Sequence, residues 1–456
     1  MRNLVPILFV ALAFGAITCQ PKKEGEKEQT SRKLPSRITP IGNRYVVFFK
    51  ESFILPIAKD SSLSKLGPDD IAKARNEKIN AVQNFCDSLG VDSVKIYVDV
   101  AVAFVANMSP SEANAVKSDS IKIQSVELDV VIEGRPIQQG RPIQQGRPIQ
   151  QDETRIGITE DWGLSPIGAC LTSCAVTRAG GQAISTGNPR VIWIVDTGIA
   201  DRHPDLNIHP TLGKNFVAGA TSTDDDNGHG TLVAGIAAAK PIDWFKDGTY
   251  QICAGVSAGA LVVPIKVLDS QGYGNWSDIL AGLDYIIAME NRENDVINLS
   301  LGDYPVANCI TAVTGMQAVL ETAAGKHFVV MAAGNDGGDA DESLPGCIRG
   351  TGPVDLFTVG AVDCNIICAP YSNYGAAVDW VAVGTNVFST YVYDHETANW
   401  TYRVANGTSM AAAVISGVIH ASNRQPKKGP KALNCNPPVV SPPGQGSRPY
   451  FLGVHR

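Results

Sequence analysis

The sequence predicts an α/β protein: a doubly wound, mostly parallel sheet, preceded by a small α+β domain of ferredoxin-like topology. Three observations carry this. From residue 152 onward, short apolar runs alternate with helix-like stretches, the pattern of βαβ units in a parallel sheet. Residues 44–133 read as strand, helix, strand, strand, helix, strand, a split βαβ order. Between the two lies a hexapeptide, Gly-Arg-Pro-Ile-Gln-Gln, present three times from Gly134, Gly140 and Gly146.

In the first domain, Arg44 to Lys50 is β-branched and aromatic and predicts a strand. Asp69 to Leu89 carries Ile71, Ala74, Ile79, Val82 and Phe85 at helical spacing. Val94 to Val98 and Val100 to Ala106 predict two strands. Ser109-Pro110-Ser111-Glu112 predicts a helix start, with Ser109 as cap, Pro110 in the first turn and Glu112 closing a capping box. Ile121 to Ile132 predicts the last strand. The hexapeptides are too short and too rich in Gly and Pro for a solenoid, and predict an extended, exposed linker over 134–151.

In the second domain, Val191 to Val195 is an apolar strand ending at Asp196, and His229 to Ala238 is an apolar helix. Ala260 to Val267 predicts a strand broken by Pro264. Ser277 to Asn291 predicts a helix, Val296 to Ser300 a strand, Ala312 to Lys326 a helix and Phe328 to Ala332 a strand. Leu356 to Val362 and Val378 to Val383 predict further strands, and Ser409 to His420 a helix. Sites in such sheets lie at the carboxyl ends of the strands.

Composition sets the class. A 456-residue chain with 44% hydrophobic and 18% charged residues is globular. A net charge of -7 gives no reason to expect nucleic acid as a partner. Arg2 followed by the apolar stretch Leu4 to Ile17 predicts an export signal over 1–18, too short for a membrane span. Two readings stand at its end: cleavage after Ala16, or lipidation at Cys19, where Ala16-Ile17-Thr18-Cys19 resembles a lipobox. Residues 19–43 then form a polar linker. A lipid at Cys19 would be the sole membrane contact. Setting Cys19 and Cys86 aside, eight of the ten cysteines remain, an even number that predicts disulfides in an oxidising compartment. Their connectivity is open. Cys170/Cys174 and Cys364/Cys368 also have the spacing of metal pairs, but His is scarce nearby.

Four residues carry chemistry. Hydrolysis by a hydroxyl needs a nucleophile, a base, a carboxylate to orient the base, and donors for the oxyanion. Asp196 closes an apolar strand in Val195-Asp196-Thr197-Gly198. Asp-Thr-Gly also marks aspartic proteases, yet these need two such carboxylates and no second copy is present. His229 stands between Gly228 and Gly230 at a helix start. Ser409 opens a helix in Gly407-Thr408-Ser409-Met410, where its N–H faces the positive end of the dipole. A plain cap is the competing reading for this Ser. Asn335 follows a strand, in Ala332-Ala333-Gly334-Asn335.

With these residues in this order, the sequence resembles the subtilisin-like serine proteases, in particular their proteinase K-like branch. The resemblance implies a sheet of subtilisin type over 152–456 and an inhibitory propeptide over 44–133. Trp162-Gly163-Leu164 resembles the start of the mature enzymes of that branch. The implied roles are Asp196 to orient the imidazole, His229 as general base then acid, Ser409 as nucleophile, and Asn335 with the Ser409 N–H as oxyanion hole. Ser300, Leu301 and Gly302 on one side and Gly272, Tyr273 and Gly274 on the other would pair with an extended substrate. Ser300 to Gly302 with Ala332, Ala333 and Gly334 would wall the S1 pocket, whose small residues suggest room for a large apolar P1 side chain.

The implied activity is that of a secreted or surface-anchored serine endopeptidase made as a self-processing zymogen. Its partners are polypeptide substrates and its own propeptide, with a monomer as default. No cofactor is needed for the chemistry. The resemblance implies structural calcium, but the ligands are unidentified, and Asp224-Asp225-Asp226 reads as a solvated loop. Two departures stand out. Ala413 replaces a Pro usual in the family, where Pro is tolerated but not required. Residues from about 425 onward form a Pro-rich tail with no clear helix. Rival readings are an inactive binding protein on the same fold, and an acyl-transferring ligase or cyclase.

Overall fold

The computed structural model describes residues 40–50, 68–134, 187–240, 249–289, 292–302, 313–394, 399–432 and 451–454, with shorter pieces at 138–139, 175, 179, 183–184, 242–246 and 309. The export signal, Cys19, the second and third hexapeptides, Trp162-Gly163-Leu164, and Cys170, Cys174 and Cys435 lie outside these residues.

The N-terminal strands are β1 (Pro40–Phe49), β2 (Ser93–Tyr97), β3 (Ala103–Asn107) and β4 (Ile123–Glu133). They form an antiparallel sheet in the order β4-β1-β3-β2. Helices α1 (Pro68–Leu89) and α2 (Pro110–Ser118) connect them. The capping box at Ser109 and Glu112 forms. Side-chain alternation divides β1 between two cores. Val47 and Phe49 pack under this domain's own helices with Val82, Phe85 and Phe104. Val46 and Phe48 join a core of the second domain instead. Strand β3 begins three residues later than expected, because the N–H groups of Asp99 and Val100 bond the Asp284 carboxylate of the second domain.

In the second domain β5 (Val191–Asp196), β6 (Leu261–Lys266), β8 (Val296–Leu299), β9 (Phe328–Ala332), β10 (Leu356–Val362) and β11 (Trp380–Val383) run parallel in the order β6-β5-β8-β9-β10-β11. The short strand β7 (Tyr273–Asn275) joins β4. Helices α3 (His229–Ala238) and α6 (Thr408–Ser422) cover one face with Ile192 and Ile194. Helices α4 (Trp276–Ile287) and α5 (Thr314–Ala324) cover the other with Val191, Trp193 and Val195. Two faces fed by alternate residues of one strand make a doubly wound sheet. The order reverses at β5, so Asp196 ends the strand at the switch point. Pro264 does not break β6. Its free edge is split between Asn207–Ile208 and Lys214–Asn215, and Pro264 falls between them, where no N–H is needed.

The structure corrects the reading of the chain's end. Strands β12 (Val387–Asp394) and β13 (Asn399–Asn406) form an unforeseen hairpin packed on α3. The tail beyond 425 contributes β14 (Lys427–Lys431) and β15 (Phe451–Val454). Strand β15 extends the sheet beside β11, and β14 closes the edge antiparallel to it. Cys309 is bonded to Cys347, and Cys364 and Cys368 are each in disulfides, which excludes the metal-pair reading for the latter two. Cys86 is free and buried. Among the described residues no helix is long and apolar enough to cross a membrane.

Candidate active site

Gly198, at φ +109°, turns the chain sharply after β5 and leaves the Asp196 carboxylate buried at the strand end. Helix α3 begins at His229 after Gly228, which has φ +105° and no side chain to cap the helix. The imidazole Nδ1 lies 2.8 Å from Asp196 Oδ1 and 2.9 Å from Oδ2. Gly230 permits this approach. A Cβ there would stand 2.1 Å from the Gly198 carbonyl oxygen and 3.2 Å from Asp196 Cβ. Gly230→Ala should therefore push the Asp196 loop off the imidazole. The overpacking should cost about 1–3 kcal/mol of stability, read from denaturant unfolding, together with a loss of hydrolysis larger than the loss of folded protein.

The Asp224-Asp225-Asp226 loop is not simply solvated, as the sequence had suggested. Asp225 is buried, and its Oδ1 accepts from Thr197 Oγ1 (2.8 Å), Asn227 N–H (3.0 Å) and Gly228 N–H (2.8 Å). Its Oδ2 accepts from Thr231 N–H (2.9 Å) and Thr231 Oγ1 (2.6 Å). Asp225 thus ties the Asp196 loop to the start of α3 and supplies the cap that Gly228 lacks. Burial raises its pKa, against these hydrogen bonds. Asp226 pairs with Lys266 Nζ at 2.7 Å, and the same ammonium donates to the carbonyls of Thr197 and Leu268. Neither Asp225 nor Lys266 was singled out from sequence. An acidic residue just ahead of a helix start was the available signal for Asp225. Among the described residues no group of His, Cys, Asp and Glu could hold a metal ion.

Electrostatics around His229 oppose one another. Burial drives its pKa down, but the Asp196 charge and hydrogen bond, with the Asp225 charge behind them, prevail, so the pKa is raised above its ordinary value. Nε2 is buried and makes no hydrogen bond. Ser409 is the second residue of α6. Its Oγ donates to the Ser300 carbonyl at 3.1 Å, and Ser300 Oγ donates to the Ser409 carbonyl at 2.8 Å. The structure therefore shows the Asp196–His229 contact and places Ser409 against Ser300, without a Ser409–His229 hydrogen bond. Asn335 Oδ1 accepts from Thr408 N–H (2.8 Å) and Thr408 Oγ1 (2.9 Å). Its Nδ2 is thereby the end left to donate.

Beyond Asn335 the walls are close. A Cβ on Gly334 (φ +100°) would meet Asn373 Nδ2 at 2.3 Å and Ser343 Oγ at 2.5 Å. A Cβ on Gly302 would meet the Leu344 carbonyl oxygen at 3.0 Å. Ala332 and Ala333 are buried beside them. Asn373, which also accepts from the N–H groups of Asp336 and Gly338, carried no sequence signal.

Gly272, Tyr273 and Gly274 face Gly302 across a groove, and the groove is filled by the chain itself. Strand β7 pairs with the end of β4, with Tyr273 opposite Glu133 and Gly274 opposite Ile132. On the other side Glu133 exchanges two hydrogen bonds with Gly302, at 2.9 and 2.8 Å. Gly134 N–H donates to the Gly272 carbonyl at 2.9 Å. Farther along, Gln138 and Gln139 pair antiparallel with Asn406 and Ala405. The expectation of an exposed linker from residue 134 therefore fails at Gly134, while Gln138 and Gln139 are paired as a short strand. Gly134 is buried in the groove, because backbone groups on both sides are there to be paired.

A profile of the subtilase family matches residues 187–430. Subtilisin-like protease 2 of Pseudogymnoascus destructans is 33% identical over 266 residues, covering 58% of this chain and 58% of that protein. Alkaline serine protease ver112 of Corniculantispora psalliotae is 28% identical over 378 residues, 81% of this chain and 83% of that protein. Proteinase T of Parengyodontium album is 34% identical over 238 residues, 51% of this chain and 71% of that protein. The chain spans just over half the length of three P. destructans relatives, at 58%, 52% and 58%.

Proposed function

The chain belongs to the subtilase family, and from that footing we propose that it is an exported serine endopeptidase, made as a zymogen whose N-terminal domain occupies its own active site. The observation that carries this reading is a backbone segment, residues 131–134, held as a β-strand in a groove directly beside the Asp196–His229 pair.

In this mechanism an extended substrate takes the place of that segment. Its backbone pairs with Tyr273–Asn275 and Gly302, so affinity comes from main-chain groups and sequence choice from the pockets. Ser409 Oγ rotates from the Ser300 carbonyl toward His229 Nε2, gives up its proton and adds to the scissile carbonyl carbon. Asp196 stabilises the imidazolium that forms. The Ser409 N–H at the positive end of α6 and Asn335 Nδ2 receive the oxyanion. His229 returns the proton to the leaving nitrogen, the C–N bond breaks, and water repeats the cycle on the acyl-enzyme. No cofactor takes part.

The alignment to ver112 supports a role for the N-terminal domain within the same architecture. It covers 81% of this chain, more than residues 134–456 contain, and so reaches into that domain. The docking surface supports it too. Glu127 and Asp129, two apart on β4, face one way. Glu127 accepts from Gly315 N–H at the start of α5, and Asp129 from Ser277 N–H at the start of α4. A carboxylate at a helix N-terminus is favoured by the dipole. Arg44 clamps Asp129 at 2.6 Å, and Lys95 pairs with Asp278. Export is supported by the signal-like segment and the disulfides. Attachment through Cys19 is the anchored variant of the same reading.

The test is the full chain with and without Ser409→Ala. The unaltered chain should shed its N-terminal segment, digest casein and take a serine-reactive phosphonate at Ser409. The variant should stay full length and inactive. Processing and casein digestion by the variant would sink the proposal.

A further inference from the structure

A polar chain crosses the apolar core behind Ser409. Asn298 and Ser416 belong to it, and the mechanism above gives neither a task. Asn298 is the third residue of β8 and shares with Val296 the sheet face covered by α3 and α6. Its register partners are Ile194 of β5 and Val330 of β9, and all three residues are fully buried. A carboxamide between two apolar side chains costs stability unless its polar atoms are bonded. Here both ends are. Oδ1 accepts from Ser416 Oγ at 2.9 Å, and Nδ2 donates to Ser300 Oγ at 2.8 Å. Ser416 is itself fully buried and lies two turns after Ser409 on α6, along the same face. A serine inside a helix commonly donates to the carbonyl four residues back. Ser422 does so, to Val418 at 2.8 Å. Ser416 donates across to the strand instead.

Each hydroxyl has one proton, which gives the chain a direction. The Ser416 proton goes to Asn298, and an Asn298 proton goes to Ser300 Oγ. The Ser300 proton is left for the Ser409 carbonyl, at 2.8 Å, and Ser409 Oγ returns a bond to the Ser300 carbonyl at 3.1 Å. These two bonds join the first turn of α6 to residues 300–302. The far end of that stretch, Gly302, pairs with Glu133 in the groove. One stretch thus grips both the extended peptide and the nucleophile. The two bonds have different fates. Ser409 Oγ has to leave the Ser300 carbonyl to attack, so the Ser300 hydroxyl is the member of the pair that still holds the spacing as the Oγ–C bond forms.

Resting on the serine-protease reading above, we propose that Asn298 and Ser416 are positioning residues: their relay commits the Ser300 hydroxyl to the Ser409 carbonyl and keeps the nucleophile at a fixed distance from the bound peptide during attack. Apolar side chains at both positions would suit the surrounding core. The relay serves geometry, and geometry of this kind carries a large share of a reaction rate. Its hold matters most after Ser409 Oγ has let go. Loss of the relay therefore falls on kcat and not on KM.

The test uses the full chain with Asn298→Leu, Ser416→Ala, both changes together, and Ser422→Ala as a control on the same helix. Folded protein is counted by denaturant unfolding, and active sites by phosphonate labelling. Asn298→Leu should lower kcat on peptide substrates by about 10- to 100-fold, with KM held within about 2-fold. Ser416→Ala removes one hydroxyl, keeps a good helix former, and should lower kcat by about 3- to 10-fold. The double variant should lose no more than Asn298→Leu alone, because both act through one chain. Ser422→Ala should match the unaltered enzyme. Release of the N-terminal segment within one molecule has no KM and should slow with kcat. An unchanged kcat in folded Asn298→Leu overturns the proposal. So does a loss that appears in KM instead, an equal loss in Ser422→Ala, or fully additive losses in the double variant. Should Asn298→Leu not fold, Ser416→Ala decides by the same readings. If the unaltered chain neither digests casein nor takes the phosphonate, the serine-protease reading itself fails and the relay loses its role with it.

Discussion

Asp196→Asn is expected to lower kcat/KM on peptide substrates by roughly 10⁴-fold while leaving the fold intact, a size known where a buried aspartate orients a catalytic histidine. Both Asp196 oxygens lie within 2.9 Å of His229 Nδ1, and both groups are fully buried. An amide there keeps the shape but no longer balances the imidazolium, and it can fix the wrong tautomer. The pH profile separates this effect from unfolding. The raised pKa of His229 means that the neutral base forms only above its ordinary value of about 6.5, so the acid limb of kcat/KM should lie above that value in the unaltered enzyme. Without the Asp196 charge, the burial that opposes protonation is left dominant, and the limb should move down in pH. An unchanged limb with full activity would show that Asp196 does not act on His229.

The parts of this site legible in the sequence are those with a local signal. Asp196 ends an all-apolar strand, His229 stands between two glycines, and Ser409 opens a helix of small residues. Each could be placed because backbone pattern alone set its position. Asp225 was not read correctly, because three successive acids look solvated. Only the fold brings Thr197, Gly228 and Thr231 around one of them. Lys266 gave no sign either, being a charged residue at the end of an apolar strand. Its burial is offset by the Leu268 carbonyl two residues on and by the Thr197 carbonyl and Asp226, which come from other segments. The edge strand Lys427–Lys431, with Gly and Pro inside it, contradicts strand propensity. Lysine and proline are tolerated at a sheet edge, where half the backbone groups need no partner. Gly134 shows the same limit most clearly. Its composition announces a loop, yet the backbone groups of Gly272 and Gly302 draw the segment into the groove.

Glu127 is expected to make release of the N-terminal domain easier by about two powers of ten as pH rises from roughly 4.5 to 7, and Glu127→Gln should remove that share of the dependence. Glu127 is 6% exposed at the docking surface. Burial pushes its pKa up to about 7, only partly offset by hydrogen bonds from Ser125 Oγ and the Gly315 and Met316 N–H groups and by the Lys117 charge. Once undocked, it returns to the ordinary carboxylate range near 4.3. A carboxyl whose pKa is higher in the docked state takes up a proton on docking. Its contribution is fully present below the free value and is lost as pH rises through about 7. Asp284 acts in the same sense. Burial first, then the neighbouring Asp99, raise it to about 6, against the N–H groups of Val100 and Asp99 and the Arg75 charge. The Lys95–Asp278 pair and the Ser277 N–H bond to Asp129 still hold the domain above that range, so the change weakens the grip without abolishing it. Competition of the separately added N-terminal segment for casein hydrolysis, measured across this pH range, checks the claim, and tighter inhibition at pH 8 than at pH 5 would refute it. A rise in pH that removes the protons of Glu127 and Asp284 also favours the neutral form of His229, so latching and catalysis would be governed in opposite directions by one variable.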